Sequence, residues 1–271
     1  CIYDEGANVS IISGTAHSSG DSGFYGFEIG SSLRFDGSSY LSRDYTSTNG
    51  TTQFSNIIYS AWAKMGDPTA SNRMYIFATD RVTNGTAEGT SNNATDRGGN
   101  GYALGWDNDA TVYVFSYGGS SHFDTTGLYR DTSAWYHIVL HIENNSFKIY
   151  INNSLVVNSS ADSSRDTFNF RDASIGAYRS GNYYSDSTTY YSYFIGYLAD
   201  INCIQNSTNA VPSLPSGASN WAEAFAETKN GVWIPKAYTG SYGNNGFRLT
   251  FSNASDLGED SSGNNNDWTV N

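Results

Sequence analysis

The chain is short of positive charge, cysteine, proline and methionine. Its 271 residues include 14 Lys and Arg against 26 Asp and Glu, for a net charge of −12, with only 2 Cys, 4 Pro and 2 Met. Such a balance excludes the basic footprint that displaces counterions from nucleic acid. No basic run reaches four residues, which argues against an anionic membrane surface. No apolar stretch approaches the roughly eighteen residues of a membrane span. Charged residues make up 15%, too few for a helix bundle or coiled coil. Cys1 and Cys203 lie too far apart in sequence to form a disulfide framework, and whether they pair stays open. The chain begins at Cys1 without Met or signal-peptide pattern, as a processed product or a fragment would.

What is present is aromatic and turn-forming. There are 21 Tyr, 14 Phe, 6 Trp and 28 Gly, and hydrophobic residues reach 38%. That many aromatics must be buried or stacked, which excludes a disordered tail. All-β sandwiches of this length commonly form one domain with an ample core. Few Lys, abundant Ser, Thr and Asn and a pI near 4.5 suit an extracellular setting.

Alternating apolar segments recur along the chain, the clearest being 56–64, 73–79, 102–106, 111–116, 135–142, 146–151, 192–204 and 247–251. Asn144-Asn145 and Asn152-Asn153 read as tight hairpin turns, because Asn tolerates positive φ. From Asn220 to Lys229 the spacing turns helical, and Asn220 with Glu223 resembles a capping box. The Gly-, Ser- and Asn-rich stretches 83–101, 159–166 and 180–189 read as surface loops. The expected fold is all-β: a two-sheet antiparallel jelly-roll sandwich with one short helix near 220–229. Residues 1–30 are expected to form an N-terminal arm, 31–212 the sandwich, and 213–271 a C-terminal segment packing on it. Trp62 and Trp135 are expected to be buried in or beside the sheets.

Five segments in order resemble the laminin-G-like, concanavalin A-like jelly-roll family. They are Leu33-Arg34-Phe35-Asp36-Gly37 with Tyr40-Leu41, Tyr59-Ser60-Ala61-Trp62-Ala63-Lys64, and Trp135-Tyr136-His137-Ile138-Val139 with Lys148–Asn153. Ser174-Ile175-Gly176 and Phe194–Ile201 complete the series. The stretch from Gly231-Val232-Trp233-Ile234-Pro235-Lys236 through Asp260–Asn265 resembles the tail of this jelly roll in uncharacterised virion-associated proteins of marine bacteriophages. The resemblance implies a structural or adhesive role on a virus particle and no defined active site. Within the family an Asp-Ser-Ser-Gly-Asn stretch usually opens the domain; here it stands at the far end, at 260–264.

The sequence offers little for catalysis. A retaining glucanase would need two carboxylates about 5 Å apart, and no Glu-x-Asp-x-Glu alternation occurs. His137 and His141 share a strand face but stand about 13 Å apart, too far to chelate one ion. Calcium is the one cofactor with candidate ligands, since it takes carboxylates from acidic loops. Asp107 and Asp109 form the best cluster, and Asp200, at the acidic position of the family's last strand motif, is the other candidate. The alternative is a solvated Asp/Asn turn. Tyr183, Tyr184, Tyr190 and Tyr191 crowd one region, which suits ordinary strand surface first, then a subunit interface, then sugar stacking.

The reading is therefore a non-enzymatic virion surface protein: a capsid decoration, fibre or tail component that self-assembles and binds host glycans. Its expected partners are copies of itself, other virion proteins and surface glycans, with no nucleic acid and no membrane insertion. The alternatives are a secreted carbohydrate-binding module and a polysaccharide-degrading enzyme.

Overall fold

The computed structural model describes residues 9–10, 26–44, 53–54, 56–79, 102–116, 121–144, 146–160, 168–169, 172–181, 188–206, 210 and 212–271. Asn56–Met65 shows why they form a sandwich. Ile57, Tyr59, Ala61, Ala63 and Met65 point to one side, while Ile58, Ser60 and Trp62 point to the other, and all are buried. A strand buried on both faces must lie centrally in a sheet that is covered twice. It does, between Ile195–Ile204 and Tyr136–Glu143.

The first sheet runs Val9–Ser10, Ser32–Asp36, Ile195–Ile204, Asn56–Met65, Tyr136–Glu143, Ser146–Ile151 and Ser154–Ser160. The second runs Thr269–Val270, Leu41–Asp44, Asp172–Ile175, Met74–Thr79, Tyr102–Trp106, Thr111–Ser116 and Ser121–Leu128. All neighbouring pairs are antiparallel. The inner faces meet in one core that includes Phe35, Tyr59, Phe77, Trp106, Ile138, Leu140, Phe147, Phe194 and Phe247. The architecture is an all-β antiparallel jelly-roll sandwich. Asn144 (φ 44°) closes one hairpin, and Asn152 and Asn153 (φ 48° and 70°) close the next, as their side chains allow.

Ile195–Ile204 changes partner midway. Its first half pairs with Ser32–Asp36, and its second half, Ile201–Cys203, pairs with Phe247–Leu249. Between them Asp200 is an extra residue at φ 42°, a bulge that keeps Leu198 and Ile201 both facing the core. The C-terminal strand thus folds back onto its own sandwich. Thr269–Val270 then joins the second sheet against Leu41–Ser42, so the last 25 residues touch both layers.

The Asp-Ser-Ser-Gly-Asn stretch is the fastener of that return. Asp260 accepts from the backbone N–H of Arg248, Ser262 and Asn266 and from the Ser262 hydroxyl, each at 2.8 Å. Asn266 donates to the carbonyls of Asn244 and Gly246 and accepts from Arg43.

The outer face of the first sheet is covered by residues 221–242. Trp221, Ala222, Ala224 and Phe225 pack on Ile58, Val139 and Ile204. The helix is confined to Ala222–Phe225, shorter than the spacing predicts. Residues Ala226–Lys229 are instead a strand paired with Val232–Pro235, because Asn230-Gly231 (φ 51° and 80°) makes a two-residue hairpin turn. Asn220 Oδ1 does accept from the N–H of Ala222 and Glu223, while the Glu223 carboxylate binds Ser219. Trp62 is buried beneath this segment and Trp135 is half-buried at its margin. Cys203 is buried with a free thiol, and Cys1 lies outside the described residues. Of the expected arm, 9–10 and 26–30 are described, and Val9–Ser10 pairs with Ser32–Leu33 of the same chain. The expected loop at 83–101 lies outside the described residues. Of 180–189, Ser180 and Gly181 with Thr188 and Thr189 are strand residues.

Candidate functional site

Among the described residues, the outer face of the second sheet carries a dense group of chemically able side chains. In the strands Met74–Thr79, Tyr102–Trp106, Thr111–Ser116 and Ser121–Leu128, Tyr75, Gly105, Tyr113 and Asp124 stand in register. Ala78, Ala103, Phe115 and His122 form the neighbouring row. Alternation sends the intervening Leu104, Trp106, Val112 and Val114 into the core. Gly105 is required where it stands: a Cβ there would lie 2.0 Å from the Met74 carbonyl oxygen.

Aromatic rings floor this face. Tyr75 meets Tyr113 edge-on at 5.7 Å and tilts against Tyr178 at 4.9 Å. Tyr178 comes from the hairpin Ala177–Gly181 with Thr188–Tyr193, which packs against Met74–Thr79. Tyr113 is fully buried, and burial pushes its phenol far above the ordinary range, so it stays protonated.

Charged groups ring the floor. Arg73 lies over the Tyr113 ring at 5.1 Å, a cation–π contact. Its Nε and Nη2 each lie 3.0 Å from Asp107 Oδ2. His122 meets Tyr113 and Phe115 edge-on, and its Nε2 lies 3.8 Å from Asp107 Oδ2 and 3.0 Å from Asp124 Oδ1. The side chains of Arg73 and Asp124 keep 39% and 44% of their surface exposed, so a ligand can reach the rim.

The three acids singled out by sequence have three different surroundings. Asp107 joins His122 and Asp124. Asp109 commits one oxygen to the backbone and hydroxyl of Thr111, at 2.9 and 2.6 Å, and those bonds hold its carboxyl below the usual range. Asp200 belongs to the other sheet, where its Oδ1 accepts from Arg248 Nε and Nη2 at 2.9 and 2.7 Å. Tyr183 and Tyr184 lie outside the described residues. Tyr190 and Tyr191 lie on Thr188–Tyr193, with side chains likewise outside.

Sequence reasoning missed His122 and Asp124 because, among the described side chains of Ser121–Leu128, Phe123 is the one apolar residue packed on the core, too little to mark the alternation. The available signal was the alternation His122-Phe123-Asp124 shortly after the turn-forming pair Gly118-Gly119 in the sequence.

A second polar group lies under the C-terminal segment. Ser60 Oγ is 2.9 Å from His137 Nε2, and both residues are buried. Trp233 donates its indole N–H to His137 Nδ1 at 3.2 Å. Since indole only donates, Nδ1 must accept, Nε2 carries the proton, and Nε2 donates to Ser60. A base that activated Ser60 would need the opposite polarity. This pair is wired for packing.

No family model and no curated protein matches the chain. Solved structures share parts of the fold at low identity. The heptameric SAP-like pentraxin from Limulus polyphemus is 13% identical with a TM-score of 0.43, over 64% of this chain and 74% of that one. The LG1-3 region of the laminin alpha2 chain is 14% identical with a TM-score of 0.45, over 66% of this chain and 32% of that one. The carbohydrate-binding module CBM66 from Bacillus subtilis is 17% identical with a TM-score of 0.31, over 62% and 91%. Likeness at this level says nothing of ligands.

Proposed function

We propose that the chain is a non-enzymatic, glycan-binding surface protein whose ligand seats on the outer face of the second sheet. The observation that carries the reading is the solvent-reachable rim of Arg73 and Asp124 beside the half-buried ring of Phe115, held over the buried Tyr113. Sugars are recognised by such a pairing: planar hydrogen-bonding groups take the hydroxyls while ring faces take the C–H surface. The hairpin Ala177–Gly181 with Thr188–Tyr193 borders this face and would widen the contact.

The proposed setting is the surface of a virus particle, as a self-assembling decoration, fibre or tail component. The resemblance of the tail around Gly231–Pro235 and Asp260–Asn265 supports it. So do the terminal strands Ser154–Ser160 and Ser121–Leu128, each paired on one side among the described residues, with Leu155 and Leu128 about half exposed. Unpaired edges favour strand-to-strand association. Glycan-array screening of the purified chain, with sedimentation to read its oligomeric state, tests both parts. Array binding by an assembled species is expected; a monomer that binds no glycan would overturn the reading.

A further inference from the structure

The cluster of Asp107, His122 and Asp124 has the geometry of a coordination site. His122 and Asp124 are two residues apart on one strand, so both rise from the same face. Asp107 follows Tyr102–Trp106 and approaches from the far side of Tyr113. One donor atom from each of the three lies within 4.8 Å of the others. The Nε2-to-oxygen separations of 3.0 and 3.8 Å bracket the spacing that tetrahedral zinc demands. With bonds of about 2.0–2.2 Å, tetrahedral ligand atoms stand about 3.3–3.6 Å apart.

The imidazole itself gives a second indication. Its Nε2 is shielded from solvent and makes no well-formed hydrogen bond, although two carboxylate oxygens lie beside it. A ring nitrogen 3.0 and 3.8 Å from two carboxylate oxygens and hydrogen-bonded to neither suits a shared cation. Arg73 fits as the supporting partner. It hydrogen-bonds Asp107 Oδ2 and would orient the carboxylate, as partners of metal ligands do. It also offsets one of the two negative charges.

We infer that Asp107, His122 and Asp124 form a three-ligand site for a borderline divalent cation of the zinc type, with a fourth position open. Imidazole nitrogen selects such ions, whereas calcium seeks six to eight oxygens that this cluster does not supply. Asp109 and Asp200, the other acids considered for calcium, take no part.

The test titrates zinc chloride, and separately calcium chloride, into the purified 271-residue chain by calorimetry, without any sugar. The outcome is therefore independent of glycan binding. One zinc per chain is expected, with calcium unable to compete at equal concentration. His122→Ala and Asp124→Asn should each weaken zinc by at least about tenfold. Both positions are partly exposed on the last strand of the sheet, and unchanged melting profiles will show that both variants fold. Visible absorption of the cobalt(II) form should report a tetrahedral nitrogen–oxygen site that His122→Ala loses. Absence of zinc binding, equal affinity in both folded variants, or displacement by equimolar calcium would overturn the inference.

Discussion

Trp233 donates its indole N–H to Nδ1 of His137, and this one bond ties the C-terminal hairpin to the centre of the first sheet. The imidazole stacks on Trp62 at 5.0 Å, so it is closed in from both sides. Three strands, Asn56–Met65, Tyr136–Glu143 and Val232–Pro235, therefore meet at this imidazole, whose Nδ1 accepts from Trp233 only while the ring is neutral.

That dependence sets a pH response. Burial holds His137 down to about 3, and burial followed by the Lys148 charge holds His141 to about 4, against 6.5 for a free imidazole. Between those values and 6.5 the unfolded chain binds protons that the folded chain refuses. Stability is thus complete above pH 6.5 and falls as the pH drops toward 4. At pH 5 each histidine should cost up to about 2 kcal/mol relative to pH 8. Urea unfolding at pH 8, 6.5 and 5 should show the decline, and His141→Phe should roughly halve its slope. A midpoint independent of pH over this range would contradict the assignment.

Asp200 and Arg248 join the bulge of Ile195–Ile204 to the returning C-terminal strand. Asn202 also donates to Asp200, and Phe27 lies against the Arg248 guanidinium at 5.4 Å. Removing one partner strands the other in a mostly dry setting. Asp200→Ala and Arg248→Ala should each cost about 2–4 kcal/mol, discounted from the fully buried case because Arg248 keeps some solvent contact. The double variant should cost clearly less than the sum of the two. Simple additivity in chemical unfolding would show that the pair is not coupled.

Deleting residues 246–271 removes Phe247, Leu249, Phe251 and Trp268 from the core together with the Asp260 fastener. Loss of a single large core aromatic already costs about 3–5 kcal/mol, so the truncated chain should not fold. A truncated chain with a sharp melting transition would mean that the sandwich closes without its C-terminal strands.

The sandwich was legible because the core strands alternate. In Tyr136–Glu143, Ile138, Leu140 and Ile142 follow the pattern that places them inward. The Asn144 and Asn152-Asn153 turns were legible because Asn signals positive φ. The helix was over-read because Trp221, Phe225 and the alanines also satisfy a short turn followed by a strand. Only Asn230-Gly231 distinguished the two. The site was legible in part. Asp107 stood out as an acid in a turn, but its companions are Arg73, just before Met74–Thr79, and His122 and Asp124 on Ser121–Leu128, brought together by the register of the intervening strands. No local spacing encodes that meeting. Asp200 drew notice as an acid in a strand motif, and the structure gives it an arginine partner through a bulge that sequence does not mark.

The central claim is that the outer face of the second sheet is where glycan binds. The most direct measurement is affinity for the strongest glycan on an array, compared among the parent chain, Arg73→Ala and Phe115→Ala, each verified as folded. Arg73 supplies the exposed guanidinium of the rim and Phe115 the half-buried ring of the floor. Each truncation should weaken binding by roughly tenfold or more, in line with a contact worth about 1.4 kcal/mol. Glycan binding that both folded variants retain at full strength would contradict the account.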